Sequence, residues 1–255
     1  MSDNAAQIRA EVLADGVSGL ADRYAGWILD VWGTIYDGGA VFEGARDVLE
    51  QLAARNIPVA IMSNSPRQPE VVEERLTGLG VARELYSVVI TSGGEARRYL
   101  SGGVDAFHAG LGPRVHTFAP ERFGDILPGT RFTLVDDLSE ADWILNAGPA
   151  GEFDQVEAYE ERLAAGAGLG LPMICANPDL AVYDQGKLKV HAGALAARYE
   201  GLGGTVRYHG KPHAPVFLRA AELMGVPGDR LIMVGDNRDT DIAGAAAAGM
   251  ASLLL

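Results

Sequence analysis

The chain has 255 residues, of which 48% are hydrophobic and 22% are charged, so it can bury the core of one large domain or two smaller ones. Acidic side chains outnumber basic ones by 34 to 21, and the resulting net charge of −13 disfavours nucleic acids and anionic membranes as partners. The only cysteine, Cys175, excludes an internal disulfide and indicates a buried thiol in a reducing compartment.

From its N-terminus the chain alternates short apolar runs with amphipathic stretches, which is the pattern of βαβ units around a parallel sheet. Residues 8–20 predict a helix. Because the sequence shows neither an export signal nor a run of about 18 apolar residues, we expect a cytoplasmic protein. The apolar runs predict core strands at residues 27–31, 58–62, 87–91, 231–234 and 251–255. Helices are predicted at residues 44–55, 70–79 and 239–248, the last capped by Asp239 or Thr240 and followed by Gly249.

The middle of the chain has a pattern of its own. Strands are predicted at residues 115–118, 132–135, 143–146 and 173–176, and a helix at 153–165. Glycines at 102–103 and 201–204 border this region and indicate hinges. We therefore predict an α/β fold with a doubly wound, Rossmann-like parallel-sheet core at residues 1–101 and 207–255, and a second α/β domain inserted at residues 102–206.

Polar motifs fall where the predicted core strands end, which is the usual place for a site in an α/β protein. They are Asp30-Val31-Trp32-Gly33-Thr34, Ser63-Asn64-Ser65, Gly210-Lys211-Pro212 and Gly235-Asp236-Asn237-Arg238-Asp239-Thr240-Asp241. Together they supply a carboxylate nucleophile, a hydroxyl, a fixed cation and a pair of acids. This is the set of groups that phosphoryl transfer requires.

The carboxylates predict a nucleophile and a metal site. Asp30 is the candidate nucleophile, and Asp30 and Asp236 can hold Mg²⁺ through hard oxygen ligands. The main-chain carbonyl of Trp32 is a further candidate ligand, since that role needs no side chain. Asp241 either orients a metal-bound water or begins the last helix, where the helix dipole favours an acid.

The remaining motif residues predict a phosphate-binding site. Lys211 would neutralise phosphate charge and keep Asp30 ionised, because a nearby cation favours the charged carboxylate. Ser63 would bind the non-bridging oxygens together with backbone N–H groups. Further candidates for substrate binding are Gly33, Thr34 and Asn64.

The ordered set DVWGT, MSNS, GKP and GDNRDTD resembles motifs one to four of the haloacid dehalogenase (HAD) superfamily. The inserted domain, Ile90-Thr91-Ser92 before a helix, and Asn177-Pro178-Asp179 ahead of residues 192–195 are similar to class IIA, the nitrophenylphosphatase-like group with a C2-type α/β cap. This resemblance implies Mg²⁺-dependent hydrolysis of a small phosphorylated metabolite through an aspartyl-phosphate, and leaves homo-oligomerisation open. It also implies that the cap selects the leaving group, with Asn177, Asp179, His191 and Gly193 as candidate lining residues.

Trp32 departs from the family pattern, in which a second acid stands two residues after the nucleophile. Loss of a general acid-base group costs about 10²- to 10⁴-fold in rate, so three hypotheses follow. The protein hydrolyses phosphates with good leaving groups, such as aryl or acyl phosphates, or takes its proton from Asp37 or His191. Alternatively it resembles the hydrolytic dehalogenases, which carry an aromatic residue here and need no metal. In the third hypothesis it is a phospho-ligand binding protein that has lost its chemistry.

Overall fold

The computed structural model describes residues 17–102, 104–119, 124–184 and 187–255. Most of the helix predicted at residues 8–20 lies outside these ranges, and Ser18–Leu20 forms a 3₁₀ turn. Within the described residues the strands are β1 Gly26–Asp30, β2 Val59–Ser63, β3 Val88–Thr91, β4 Arg114–Thr117, β5 Thr133–Leu134, β6 Trp143–Asn146, β7 Pro172–Cys175, β8 Ala181–Asp184, β9 Lys187–Val190, β10 Thr205–Tyr208, β11 Leu231–Gly235 and β12 Ala251–Leu254. The α-helices are α1 Ala45–Ala54, α2 Pro69–Gly78, α3 Ser92–Leu100, α4 Ala106–Ala109, α5 Glu160–Gly168, α6 Ala192–Gly201, α7 Ala214–Met224 and α8 Ala243–Ala247.

The first sheet is parallel and has the strand order β12-β11-β1-β2-β3. Every residue of the central strand β1 is buried, as expected for a parallel strand covered on both faces. On one face Trp27 packs in a cluster with residues of α1 and α2, and on the other Ile28 packs against Phe217 of α7 and its neighbours. The sheet is therefore doubly wound, as the sequence predicts.

The second sheet is also parallel, in the order β10-β7-β6-β4-β5, and β8 and β9 form a separate antiparallel hairpin. The chain leaves the first sheet after α3 and returns to it after β10, so the second α/β unit is inserted between β3 and β11. The domain boundary predicted at residue 206 falls inside β10. Placing it after Tyr208 keeps that strand with its partner β7.

Strand predictions hold better than helix predictions. The five predicted core strands and the four predicted in the middle region are present, each to within one residue at either end. The helix predicted at 153–165 is wrong at its start: Asp154 closes a turn by accepting the Gly151 N–H at 2.8 Å, a 3₁₀ turn follows at Val156–Tyr159, and α5 begins only at Glu160.

The start of the last helix also differs from the prediction. Asn237, rather than Asp239 or Thr240, is the cap, because its Oδ1 accepts the N–H groups of Asp239 at 2.8 Å and Thr240 at 3.3 Å. The first turn, Arg238–Ile242, is a π-helix that continues into α8. This wide turn carries Asp241 inwards until it is fully buried.

Among the residues that the structure describes, none of the helices combines the length and apolar character that a membrane span requires.

Candidate active site

The carboxyl ends of three adjacent strands bring the predicted motifs together. Asp30 is the last residue of β1, Ser63 is the last residue of β2, and Asp236 directly follows β11. Since β11, β1 and β2 are neighbours in the sheet, these side chains belong to one edge. Lys211 reaches the same edge from the loop that follows β10.

Asp30, Asp236 and Asp241 form a cluster in which one carboxylate oxygen from each lies within 4.8 Å of the other two. Asp30 and Asp241 are buried, whereas Asp236 is exposed. Burial raises the pKa of Asp30 to about 7, against the opposing effect of Lys211. Burial and the Asp241 carboxylate likewise raise the pKa of Asp236. Three acids this close repel one another, so the site favours a cation among them.

Lys211 supplies one fixed cation. Its Nζ contacts Asp30 and lies 2.7 Å from Asp241 Oδ1, while the side chain is only 4% exposed. Burial alone would lower the pKa of Lys211, but the Asp30 and Asp241 carboxylates outweigh it and raise the pKa above its usual value. Lys211 therefore stays charged and favours the ionised form of Asp30, although burial outweighs this effect and the pKa of Asp30 is still raised.

The Asn64 amide joins Lys211, Ser92 and Asp179. Its Oδ1 accepts the Lys211 N–H at 2.8 Å and the Ser92 hydroxyl at 3.0 Å. Its Nδ2 donates to the Lys211 carbonyl at 3.0 Å and to Asp179 Oδ1 at 2.8 Å. All four hydrogen-bonding positions of the amide are occupied, which differs from the predicted substrate-binding role.

Two glycines allow the loops of the site to approach this closely. A Cβ at Gly33, where φ is +84°, would lie 2.0 Å from Asp236 Oδ2. A Cβ at Gly210, where φ is +112°, would lie 1.9 Å from Ser92 Oγ and 2.5 Å from Asn64 Oδ1. Only glycine satisfies both the conformation and the space at these positions.

Two hydroxyls have capacity left to bind a ligand. Thr34 is buried, and its Oγ1 has no hydrogen-bond partner among the described residues. Ser63 Oγ accepts the Ser65 N–H at 3.2 Å, which leaves its own proton to donate. A buried hydroxyl without a partner is costly unless a ligand completes it. Both positions therefore suit the oxygens of a phosphate.

Trp32 and Asp37 lie in a hairpin-like flap that follows Asp30. The Trp32 ring packs edge-on against Tyr36 at 5.5 Å between centroids, and a Cβ at Gly38 would meet that ring at 2.4 Å. Asp37 is exposed, and the N–H groups of Ala40 and Gly39 hydrogen-bond its carboxylate and lower its pKa. Asp37 is thus held ionised in a turn, which argues against the hypothesis that it donates the missing proton.

The predicted cap residues build one rigid turn. Asn177 Oδ1 accepts the Asp179 N–H at 3.1 Å, and Asn177 Nδ2 lies 3.3 Å from His191 Nδ1. The Gly193 N–H donates to the Asp179 carbonyl at 3.0 Å, and a Cβ at Gly193 would lie 2.0 Å from the Pro178 carbonyl oxygen. Asp179 is the member of this group that hydrogen-bonds the core, through Asn64.

Ser92 is a site residue that the sequence analysis did not assign. It is fully buried, opens α3 directly after β3, and donates its hydroxyl to Asn64. The available signal was its position, because Thr91-Ser92 is a polar pair at the end of a core strand, like the other motifs.

The acidic cluster fits a divalent cation. Its donor set is three carboxylates, the hard oxygen ligands that Mg²⁺ prefers, and their spacing allows one ion to contact all three. The Trp32 carbonyl, the other predicted ligand, accepts no backbone hydrogen bond from the described residues. The residues present therefore suit the metal that the sequence predicts.

Comparison with known proteins agrees with this arrangement. Residues 27–124 match a family model described as haloacid dehalogenase-like hydrolase, and residues 208–255 match one described as HAD-hydrolase-like. The structure of a haloacid dehalogenase-like hydrolase from Brucella suis 1330 superposes with a TM-score of 0.84 at 32% identity, over 92% of this chain and 86% of that one. This chain is a member of the haloacid dehalogenase-like hydrolase family.

Two proteins that are named as phosphatases are similar to this chain over most of its length. Acid sugar phosphatase from Staphylococcus aureus (strain USA300) is 25% identical over 232 residues, which are 89% of this chain and 85% of that protein. The p-nitrophenyl phosphatase from Archaeoglobus fulgidus has the same fold, with a TM-score of 0.72 at 20% identity over 91% of this chain and 85% of that one. The predicted resemblance to class IIA of the HAD superfamily is confirmed at the level of the fold.

Proposed function

We propose that this HAD-family hydrolase is a Mg²⁺-dependent phosphatase that cleaves a small phosphate ester through an aspartyl-phosphate on Asp30. The coarser part, a phosphatase of this family, is supported by the family match and by the curated relative, a sugar phosphatase. The proposed Mg²⁺ dependence and the aspartyl-phosphate on Asp30 rest mainly on one observation. Asp30 and Lys211 are buried in contact at the edge of the sheet, beside Asp236 and Asp241.

The chemistry of the first step follows from these groups. An Asp30 carboxylate oxygen attacks phosphorus, the Asp30–phosphorus bond forms, and the ester P–O bond breaks with its electron pair leaving on the alcohol oxygen. In this proposal Lys211 and the hydroxyls of Ser63 and Thr34 bind the non-bridging oxygens. Mg²⁺ held by Asp30, Asp236, Asp241 and the Trp32 carbonyl would offset the repulsion between carboxylate and phosphate.

Trp32 restricts the substrate. An indole cannot protonate the departing oxygen, and Asp37 is held ionised away from that role, so unless His191 supplies the proton the leaving group must depart without help. Aryl and acyl phosphates meet this condition because their leaving groups are weak bases. We therefore infer that these substrates are preferred over alkyl phosphates.

The test is hydrolysis of 4-nitrophenyl phosphate by purified protein with and without Mg²⁺. We expect slow turnover that requires the metal and is lost in Asp30→Asn, which keeps the shape but removes the nucleophile. Asp37→Asn is the matched control, since it alters an acid of the same loop without touching the cluster, and it should retain activity. Activity that survives Asp30→Asn would overturn the assignment.

One observation favours a second function. Because Trp32 replaces the acid, the scaffold could bind a phosphorylated ligand without turning it over. That hypothesis predicts that orthophosphate raises the thermal stability of the protein while neither aryl nor acyl phosphates are hydrolysed. The dehalogenase hypothesis has less support, because attack on carbon does not need the three-carboxylate cluster.

A further inference from the structure

One buried side chain, Asn64, contacts both the inserted unit and the core. This residue is 4% exposed and follows β2, so its backbone belongs to the core. Its amide bridges the main chain of Lys211 on one side and the carboxylate of Asp179 on the other. Asp179 lies between β7 and β8, in the inserted unit. Asn64 is thus in contact with both units and with the loop of the candidate catalytic cation.

The base of the Lys211 side chain is fixed by this amide. Asn64 pairs with both the N–H and the carbonyl of Lys211, so it sets the position and the orientation of that peptide segment. A side chain at position 210 could not take over this role from Asn64, because a Cβ on Gly210 would lie 1.9 Å from Ser92 Oγ. The Lys211 ammonium must reach both Asp30 and Asp241, and a shift at its base would break that geometry.

The partner of Asn64 in the inserted unit is rigidly mounted. The Asp179 N–H donates to Asn177 Oδ1, and the Asp179 carbonyl accepts the Gly193 N–H. The hydrogen bond from Asn64 to a carboxylate is charge-assisted, which makes it stronger than an amide pair between neutral groups. The Asp179 charge also contributes to raising the pKa of Asp236, so this carboxylate lies near the acidic cluster.

We propose that Asn64 and Asp179 form a latch through which the docked cap sets the position of Lys211. Asp179 is then a positioning residue that acts on the catalytic core through Asn64. This inference rests on the proposed function for the role of Lys211, but the contact can be tested without turnover.

The first test measures backbone hydrogen exchange at Lys211 in protein without metal or substrate. Its N–H is bonded to Asn64, so Asp179→Ala should speed its exchange by about 10-fold, although the substitution lies in the other unit. Asp179→Asn keeps a carbonyl acceptor and should stay near the wild-type rate. Asp137→Ala is the control for general loosening of the inserted unit. It removes an exposed carboxylate that caps a 3₁₀ turn in that unit.

The second test separates positioning from substrate contact. With 4-nitrophenyl phosphate and Mg²⁺, Asp179→Ala should lower kcat by about 10-fold with little change in KM, and Asp179→Asn should restore most of it. In the Asn64→Ala background, Asp179→Ala should have almost no further effect, because the two act as a pair.

Distinct outcomes overturn the latch. If Asp179→Ala raises KM in a way that depends on the leaving group while Lys211 exchange is unchanged, Asp179 contacts substrate instead. If the effects of the Asn64 and Asp179 substitutions simply add, the two residues are not coupled. A wild-type protein without phosphatase activity would remove the proposed function, and the exchange measurement would still decide the latch.

Discussion

At position 32 the chain places an indole two residues after Asp30, where HAD phosphatases carry an acid. In the proposed mechanism this leaves position 32 without a proton donor for the first step and without a base for the hydrolysis of the aspartyl-phosphate. The indole adds packing instead, since the ring fills the flap against Tyr36 and Gly38. The residue at position 32 thus contributes to the packing of the flap and not to acid-base chemistry.

Restoring the acid is the sharpest test at this scale. Trp32→Asp should raise kcat/KM for an alkyl phosphate relative to 4-nitrophenyl phosphate by at least about 10-fold, because kcat/KM reports the first step and only the poor leaving group needs protonation there. Trp32→Asn opens the same space without supplying a proton and is the matched control. The measurement is the ratio of kcat/KM values for the two substrates. An equal ratio in both variants would show that space, and not the acid, limits alkyl phosphates.

Trp32 should also slow the second step, in which water hydrolyses the aspartyl-phosphate. Without a base at this position, water attacks the aspartyl-phosphate slowly, so we expect the second step to limit turnover of 4-nitrophenyl phosphate. Rapid mixing should then show a burst of nitrophenolate close to one equivalent per active site, followed by slow release. In Trp32→Asp the burst should shrink. A wild-type time course without a burst would place the slow step before the aspartyl-phosphate forms.

Strands that are buried on both faces can be predicted from the sequence. Contacts between residues that are far apart in the chain cannot. β1, β2 and β11 read as continuous apolar runs because helices cover both faces of their sheet. The exposed hairpin β8–β9 carries no such signal. The motifs correctly placed Asp30, Lys211 and Asp236 together, but the bond from Asn64 to Asp179 spans 115 positions and leaves no local pattern. The sequence leaves two roles open for Asp241; in the structure it lies within the first turn of the last helix, where its Oδ2 accepts the Asn237 N–H at 3.1 Å, and it also belongs to the acidic cluster.

The cap of that last helix should contribute to stability. Asn237→Ala removes the acceptor for the Asp239 and Thr240 N–H groups. It should lower the free energy of unfolding by about 0.5–2 kcal/mol, mainly because the first helical turn is destabilised. Asn237→Ser retains a cap acceptor and should lose much less. Thermal unfolding without added metal is the measurement, with a fall in Tm of about 2–4 °C for each kcal/mol. Equal melting temperatures for the two variants would mean that the cap is not what holds this turn.

In the molecule as a whole, the two connections between core and cap meet at a pair of buried histidines. His108 lies in α4, just after the chain leaves the core, and His209 follows β10, just before it returns. Their Nε2 atoms are 3.1 Å apart, and Asp105 Oδ1 lies 2.7 Å from His108 Nδ1. Tyr99 packs on both rings, at 4.9 and 4.7 Å between centroids. The space between the two Nε2 atoms holds one proton, so a second proton there would bring two N–H groups face to face.

This pair predicts acid sensitivity with a definite sign. Burial, with the neighbouring His108, lowers the pKa of His209 from 6.5 to about 3, against the effect of Asp105. Between those pH values the unfolded chain binds the extra proton, so stability is fully present above about pH 6.5 and falls as the pH is lowered towards 3. The loss from this group is at most about 1.4 kcal/mol per pH unit. Asp30, whose pKa is raised, acts in the opposite direction because the folded state takes up its proton first.

Comparison of variants isolates the histidine from the carboxylates. His209→Gln keeps a donor near His108 but cannot titrate, so its free energy of unfolding should fall less than that of the wild type between pH 7 and pH 5. Measuring both in an Asp30→Asn background removes the opposing titration from each profile, so the loss from His209 is seen directly and the difference between the two proteins should stay the same. The charged groups around His209, which include Arg98 and His213, are the same in both proteins. Parallel pH profiles would show that the histidine pair does not carry the sensitivity, whereas profiles that converge as the pH falls would show that His209 carries it.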